Sequence, residues 1–204
     1  MSLVELIAAS DERALATAGL ACLDRCVPLL TSDGCDDDVL RPLWLSIADG
    51  DAWPDRLAAA RVALSHVPRA APEPGKQDPE DEARELALGM LSTAPDALPF
   101  GPQAAAPPAD GDALRAWADA CSLAALHVHR LLDATGEPPQ SVAARREGGV
   151  DGMSPLVEAE LRRQTEILDL LAERGTNALR HALEVCTEGR RVLRAAVSRR
   201  ARAR

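Results

Sequence analysis

The sequence predicts an all-α fold: a single helical domain over residues 1–204, built as a bundle of about seven helices with a long C-terminal antiparallel hairpin. Residues that favour strands are scarce, because the chain contains no Tyr, one Phe and three Trp, and Ile occurs at only three positions. Leu and Ala fill most apolar positions, and both are strong helix formers. Apolar residues also recur at intervals of three and four, which is the spacing of one helix face.

Capping signals define the first two helices. Ser2 and Glu5 form a capping box at the start of a short helix. Ser10–Glu12 caps a second helix, which runs to Cys26 and ends before Pro28. The chain therefore begins with two short helices in succession.

Two more helices are predicted before residue 66. Asp36–Asp38 places three carboxylates in the first turn of a helix that extends to about Ala48, where they face the positive end of the helix dipole. The acidic stretch lacks the ligand spacing of a calcium loop. Pro54 suits the first turn of the next helix, which ends near His66. Residues 1–66 are the candidate for an N-terminal helical subdomain.

Proline-rich segments at residues 67–79 and 95–111 predict two linkers around one further helix. Nine of the 15 prolines fall between Pro68 and Pro108, a composition that favours extended backbone. Phe100, the only Phe, lies in the second linker. Two interpretations remain open for its side chain. It is a docking point for a partner protein, or it fixes the linker to the protein's own bundle, and the second is preferred.

The strongest helical pattern of the first two thirds runs from Asp112 to Ala134. Apolar residues lie on two of its faces, which is typical of a helix at the centre of a bundle. If the protein has a ligand pocket or an enzymatic site, we expect it beside Trp117, His127 and His129. The two histidines point about 160° apart on a helix and cannot chelate one metal ion. Boundary positions are the simpler interpretation for both.

The C-terminal third predicts a loop followed by the hairpin. Residues 141–152 are basic and then glycine-rich, which is typical of a loop. Residues 154–174 form a helix, and Gly175 separates it from the last one. One stripe of the first of these helices has coiled-coil spacing with a single polar member: Val157, Leu161, Gln164, Leu168 and Leu171. This stripe predicts either a homodimer through the hairpin or packing within the chain.

Charge is divided unevenly along the chain, which has 23 basic and 32 acidic residues. Arg190–Arg204 contains seven arginines and no acidic residue, whereas residues 1–189 carry a net charge of −16. Lys76 is the only lysine. This preference for Arg, together with abundant Ala, is typical of GC-rich genomes such as those of actinobacteria.

The arginine-rich segment has two interpretations. Weak nucleic-acid binding is one, because arginines neutralise phosphates. However, the segment has no aromatic residue for base stacking, and the acidic remainder repels DNA. The preferred interpretation is a helix end that docks on an acidic surface of the same or a neighbouring subunit. The candidate interaction residues are Arg190, Arg191, Arg194, Arg199, Arg200 and, in the linker, Phe100.

No sequence pattern identifies a catalytic residue, a cofactor site or a metal site. The nucleophile-elbow, zinc-hydrolase and phosphate-loop motifs are not found. Cys22 and Cys26 share a helix face, but like Cys121 and Cys186 they fall on apolar stripes. A free thiol there behaves as a small apolar side chain.

The sequence therefore favours a non-enzymatic protein that binds or regulates another protein. The odd number of cysteines and the lack of a signal-peptide pattern predict reduced thiols in the cytoplasm. No segment is apolar for long enough to predict a membrane span. The alternatives are weak nucleic-acid binding through Arg190–Arg204 and a ligand pocket or enzyme near Trp117 and His127.

Overall fold

The computed structural model describes residues 1–31, 39–65, 78–101, 111–133, 138–139, 141–149 and 151–203. Within these ranges the chain forms α-helices and two 3-10 turns, Val27–Leu29 and Gly175–Ala178, and no strand. The predicted all-α fold is confirmed. The helices are α1 (Leu3–Ala9), α2 (Glu12–Cys26), α3 (Arg41–Asp49), α4 (Trp53–Ser65), α5 (Pro79–Ser92), α6 (Gly111–Leu132), α7 (Ser141–Arg146), α8 (Pro155–Arg174) and α9 (Leu179–Ala203).

Side-chain caps fix the start of several helices. At α1, the Ser2 hydroxyl accepts a hydrogen bond from the Glu5 amide, and the Glu5 carboxylate accepts one from the Ser2 amide. Asp11 caps α2 by accepting from the Ala14 amide at 2.7 Å. Ser154 caps α8 in the same way. Each cap satisfies an amide that has no partner within its own helix.

Helix α6 lies at the centre of the bundle, in contact with α1, α2, α5, α7, α8 and α9. Its Trp117 donates a hydrogen bond from Nε1 to the Met90 carbonyl of α5 at 2.9 Å. On the α2 side the Trp117 ring lies against Gly19, where a Cβ would come within 2.5 Å of the ring. The absence of a side chain at Gly19 therefore allows α2 and α6 to approach closely.

Helices α8 and α9 form the predicted antiparallel hairpin. The chain reverses at Gly175, whose φ of +54° is a conformation that L side chains rarely adopt. Across the hairpin, His181 Nε2 lies 3.9 Å from Glu166 Oε1. Farther from the turn, the Arg163 side chain packs against Gly189.

The coiled-coil stripe of α8 faces the inside of the same chain. Val157, Gln164, Leu168 and Leu171 are buried, and Leu161 is partly buried. Their surroundings are α1, α2, α6 and α9. Of the two interpretations of this stripe, packing within the chain is the one observed for its four buried members, and Leu161 is the member that retains exposed surface. A homodimer remains a prediction that needs another surface.

Helix α3 begins at Arg41 rather than at the predicted Asp36. Pro42 explains the difference. In a helix that started at Asp36, Pro42 would be an interior residue and could not donate to the carbonyl of Asp38. At the first turn, where it lies, no such bond is required. Residues 32–38, including the acidic stretch, lie outside the described residues.

The segment predicted as a loop at residues 141–152 contains the short helix α7. Tertiary contacts stabilise it. Val142 packs in a small apolar cluster with Leu126 of α6 and Val157 of α8. Arg146 forms an ion pair with Asp119 of α6. Neither contact is local in sequence, so the composition of the segment gave no indication of them.

The described part of the second predicted linker lies on the bundle. Trp53 donates from Nε1 to the Pro95 carbonyl at 2.7 Å. The Phe100 ring is half-buried against the core, with the Arg13 guanidinium 4.4 Å from its centre. This placement matches the interpretation in which Phe100 fixes the linker to its own bundle. Residues 66–77 and 102–110 lie outside the described residues.

No helix in the described ranges has the length and apolar character that crossing a bilayer requires.

Candidate functional site

Five polar side chains from α2, α6 and α8 meet inside the bundle and form what we call the buried ionic network: Arg25, Ser122, His129, Glu160 and Gln164. At its centre, Arg25 donates two hydrogen bonds to one carboxylate. Arg25 Nε lies 2.9 Å from Glu160 Oε2, and Nη2 lies 2.5 Å from Oε1. Both side chains are fully buried. Two hydrogen bonds between a planar guanidinium and a carboxylate form a strong and orientation-specific pair.

Gln164 extends the network from α8 to α6. Its Nε2 donates to Glu160 Oε1 at 2.9 Å and to the Ser122 carbonyl at 3.2 Å. Its Oε1 accepts from the Ser122 hydroxyl at 2.6 Å. Gln164, the polar member of the α8 stripe, therefore forms its hydrogen bonds with Ser122 and Glu160 of the same chain.

Glu160 is ionised at neutral pH. Burial alone raises the pKa of its carboxyl group, but the nearby Arg25 and His129 and the hydrogen bonds from Arg25 and Gln164 lower the pKa to about 2. The core thus contains a carboxylate whose charge is balanced by the Arg25 guanidinium.

His129 lies on the other side of Glu160 and is neutral. Its Nδ1 donates to the Ala125 carbonyl, at 2.7 Å, which leaves Nε2 without a proton. Nε2 points toward Glu160 Oε2 at 3.6 Å and has no hydrogen-bond partner among the described residues. Burial lowers the pKa of the imidazole, and the attraction of Glu160 only partly offsets this effect. The sequence-based expectation of a boundary histidine is wrong for His129, because α8 covers it completely.

Small residues and thiols make room for the Arg25 side chain. A Cβ at Gly189 of α9 would overlap Arg25 Cδ and would lie 2.7 Å from Cγ. The thiol sulfurs of Cys22 and Cys186 lie 3.5 and 3.7 Å from the guanidinium nitrogens. Burial raises the pKa of the Cys22 thiol to about 12, so it remains protonated. These cysteines are part of the core, as the sequence predicted.

A second buried ion pair joins α2 to α9. Arg190 Nη1 donates to Asp24 Oδ1 at 2.6 Å. Trp44 of α3 donates from Nε1 to the other carboxylate oxygen at 3.2 Å. Arg190 also donates to the Thr187 hydroxyl. The first residue of the arginine-rich segment is therefore part of the core.

The buried ionic network has no room for a substrate. The cavity beside Arg25, Ser122 and Gln164 has a volume of about 10 Å³, which is the size of one water molecule. Within the described ranges, no group of three or more His, Cys, Asp or Glu side chains is placed to hold a metal ion. The network therefore joins α2, α6 and α8, and the cavity beside it is too small for a ligand larger than water.

The residues of the expected pocket are packed into the core. Trp117 lies between α2 and α5, and His129 belongs to the buried ionic network. His127 is half-buried, and burial lowers the pKa of its imidazole. Trp117 and His129 are enclosed by neighbouring helices and line none of the cavities formed by the described residues.

An open groove of about 810 Å³ runs along the outer face of α8. We call it the α8 groove. Its apolar side chains and Thr165 are partly buried, whereas Gly152 and the charged members are exposed. The described residues that line it are Gly152, Met153, Glu158, Leu161, Arg162, Thr165, Glu166, Asp169, Leu170 and Glu173.

The lining of the α8 groove combines acidic and apolar residues. Four carboxylates and one arginine give it a net charge of −3. Leu161 and Leu170 lie about 180° apart around α8, one at each edge of this charged face, and Met153 adds a third apolar side chain. From Glu158 to Glu173 the acidic face extends about 22 Å, at 1.5 Å per residue. A smaller groove of about 360 Å³ lies between α5 and α6, lined partly by Gly89, Ala120 and Ala124.

The arginine-rich segment is not uniformly exposed. Arg190 is buried against Asp24, and Arg194 and Arg200 are half-buried. Arg191, Arg199 and Arg202 are exposed on α9. Arg204 lies outside the described residues. The segment therefore presents fewer positive charges to a partner than its seven arginines would suggest.

Sequence reasoning missed both buried ion pairs. A signal was present in α2, where Asp24 and Arg25 interrupt an otherwise apolar run near the end of the helix. Another was present in α8, where Glu160 lies three residues after Val157 and four before Gln164, on the buried face. Charged residues on buried faces require partners, and these two helices each contributed one side of a pair.

Comparisons with protein-family models, with curated proteins and with solved structures find no match to this chain. Its function therefore has to be inferred from its own residues.

Proposed function

We propose that this protein is a non-enzymatic interaction protein that binds a basic, amphipathic helical segment in the α8 groove. The observation that carries the proposal is the row of four carboxylates along the α8 groove, with partly buried apolar side chains at its edges. Amphipathic helices commonly bind in surface grooves, and opposite charges select the partner and accelerate its association.

The dimensions of the groove favour a helix of about four turns. Its acidic face extends about 22 Å, which corresponds to about 15 residues of helix. Leu161 and Leu170 offer one apolar contact at each edge of this face, and Met153 offers a third just before the start of α8. A partner with arginines or lysines along one face and leucines beside them matches both properties.

The enzymatic alternative has less support in the structure. The polar side chains that resemble a reactive cluster belong to the buried ionic network, where the adjoining cavity is about 10 Å³. Ligand-binding pockets commonly have volumes of about 300 to 1,000 Å³. Among the spaces described, the α8 groove and the smaller groove between α5 and α6 reach that range, and both are open surface grooves without a cluster of shifted acid and base groups.

A cytoplasmic location belongs to the same proposal. Cys22, Cys26, Cys121 and Cys186 are free thiols in the core, and each is buried. Free thiols are typical of proteins in a reducing compartment. An interaction protein of this kind would meet its partner there.

Fluorescence anisotropy with labelled peptides tests the proposal. The probe is a 15-residue Leu/Arg peptide designed as an amphipathic helix. Two controls are a peptide with Glu in place of Arg and a peptide with the same composition in a scrambled order. We expect the full chain to bind the amphipathic Arg peptide at micromolar concentration and the two controls at least about tenfold more weakly, a difference of about 1.4 kcal/mol.

Variants of the protein assign the binding to the α8 groove. Glu166→Arg with Asp169→Arg should weaken peptide binding by about tenfold or more. Raised salt should weaken peptide binding by the wild type. Glu12→Arg with Glu82→Arg makes the same change in net charge at two exposed positions of α2 and α5. Equal losses in the two variants, or equal binding of the scrambled peptide, would reject the α8 groove as the binding site.

A further inference from the structure

We infer that His181 of α9 regulates the α8 groove in response to pH: its protonated imidazole pairs with Glu166 and weakens the binding of a basic partner in acidic solution. The inference rests on the proposed function, since it names a control on the same groove. It begins from one contact across the hairpin. His181 Nε2 lies 3.9 Å from Glu166 Oε1, and Glu166 is one of the four carboxylates that line the groove.

Both side chains of this pair are accessible to solvent and to a bound partner. The exposed fraction of the side chain is 45% for His181 and 44% for Glu166. Around α8, Glu166 lies about 60° from Arg163, which packs against Gly189 of α9. Glu166 therefore lies at the side of the groove nearest α9, where the charge of His181 acts on it directly.

Protonation of His181 changes the charge that a partner meets in the groove. Histidine is the side chain whose charge commonly changes between about pH 5 and 8. With a neutral imidazole the lining of the groove keeps its net charge of −3. A protonated imidazole adds one positive charge, so the lining and His181 together carry −2. A partner arginine opposite Glu166 then meets a carboxylate that already has a counterion, with a like charge beside it.

The other charged groups around His181 come from the two helices of the hairpin. The turn Gly175–Ala178 contributes none, and α2 contacts α9 through Cys186 and Arg190, about 140° and 180° from His181 around the helix. Asp, Glu and Arg side chains ordinarily titrate outside the range from about pH 5.5 to 7.5. The charged groups that α8 and α9 place near His181, besides Glu166, are Asp169, Glu173, Arg174, Arg180 and Glu184, of which the last two pair with each other at 3.6 Å.

The other histidines of the described ranges are placed elsewhere. His129 is fully buried beside Glu160, and His127 is half-buried on α6. Neither is among the described residues that line the α8 groove. His181 is therefore the described histidine that contacts a carboxylate of the groove.

Fluorescence anisotropy with the Leu/Arg peptide tests the inference at about pH 7.5 and about pH 5.5, on either side of the usual histidine titration. Both ends of the peptide are blocked, so the probe itself keeps one charge. The wild type should bind about two- to fivefold more weakly at the lower pH, which is the range expected of one exposed ion pair. His181→Gln should bind about equally at both. His181→Arg, with a permanent charge, should bind at both as weakly as the wild type does in acid.

His127→Gln is the matched control, because it removes a histidine outside the groove and should keep the pH dependence of the wild type. Circular dichroism at the lower pH verifies that each variant is folded. Calorimetry adds a readout that does not depend on comparing affinities. Because a bound partner opposes protonation of His181, binding near the middle of the pH range should release protons to the buffer. Titrations in two buffers of different ionisation enthalpy measure this release, which should be nearly lost in His181→Gln.

Equal affinity of the wild type at the two pH values would overturn the inference, and so would a pH dependence that His181→Gln leaves unchanged. Tight binding by His181→Arg at the higher pH would overturn it as well. Each of these results includes binding of the peptide at the higher pH, so the proposed function would stand. A peptide that the wild type binds at neither pH would reject the proposed function and this inference with it.

Discussion

Arg25 and Glu160 are 135 residues apart in sequence and form a two-hydrogen-bond ion pair with no solvent exposure. Removing two charges from water costs several kcal/mol per ion, so the pair contributes little net stability compared with well-packed apolar residues. It contributes specificity, because the pair forms only when α2 and α8 have the observed register. The first prediction concerns the loss of one partner.

Glu160→Gln should destabilise the protein by about 3 to 5 kcal/mol, because Arg25 is left as a buried charge without a countercharge. Arg25→Met with Glu160→Met should recover most of the loss. Urea unfolding at pH 7, followed by circular dichroism, measures both. The control is Glu184→Gln at the exposed Arg180–Glu184 pair of α9, which should change the unfolding free energy by less than about 0.5 kcal/mol. A Glu160→Gln variant as stable as the control would contradict the prediction.

Gly189→Ala should destabilise the protein by about 1 to 3 kcal/mol, because the new methyl group overlaps the Arg25 side chain. Gly89→Ala in α5 is the matched control, since no atom lies within 4 Å of a Cβ at that position. There the change should stabilise the protein by about 0.5 to 1 kcal/mol through helix propensity. Thermal unfolding of the two variants should shift the midpoint in opposite directions. Shifts of the same sign would show that Arg25 can move aside.

His129→Gln should flatten the pH dependence of stability between about pH 6.5 and 5. In the native state, burial keeps the pKa of His129 below its ordinary value, and its neighbours are Glu160, Arg25 and Arg163. In the unfolded state the imidazole has a pKa of about 6.5. Below that pH the unfolded state binds a proton that the native state does not, so the wild type loses stability as the pH falls.

Urea midpoints across that pH range measure the effect. The control is His181→Gln, whose imidazole is exposed at the surface and near Glu166. His127 and Asp24 are present in both variants, so their contributions cancel in the comparison with the wild type. An unchanged profile in His129→Gln would show that the buried imidazole does not control this pH dependence.

Nucleic-acid binding, if measured, should have a shallow salt dependence. Arg190 is paired with Asp24, and the exposed arginines in the described part of the arginine-rich segment are Arg191, Arg199 and Arg202. Three phosphate contacts correspond to a slope of about −2.7 in the logarithm of affinity against the logarithm of salt concentration. A gel-shift salt series measures the slope, and a slope near −6 would require further basic residues. Deleting Arg190–Arg204 is not a clean control, because it also removes Leu193 and Ala196 from the core.

The helices could be predicted from the sequence because their signals are local. Ser2, Asp11 and Ser154 act as caps, Pro79 and Pro155 lie in first turns, and each signal involves residues a few positions apart. The central position of the helix that begins near Asp112 was also predictable from its two apolar faces.

The partners of the buried charges could not be predicted. A carboxylate at Glu160 shows that a cation is required, but many arginines were available and no local rule selected Arg25. The same limit applied to α7, whose contacts are tertiary. The exposed groove of α8 was hidden for another reason: the sequence shows which face of a helix is polar, but not whether neighbouring elements leave a space beside it.

The Asp24–Arg190 pair also has a consequence for folding during translation. Asp24 is synthesised 166 residues before its partner. At 5 to 20 residues per second, that interval is roughly 8 to 33 s. Until α8 and α9 are synthesised, Arg25 lacks Glu160 and Asp24 lacks Arg190, so the two charged side chains oppose burial of the end of α2. The N-terminal helices therefore cannot complete their core during the early part of translation, and nascent α2 is expected to remain a substrate for chaperones until α9 is available.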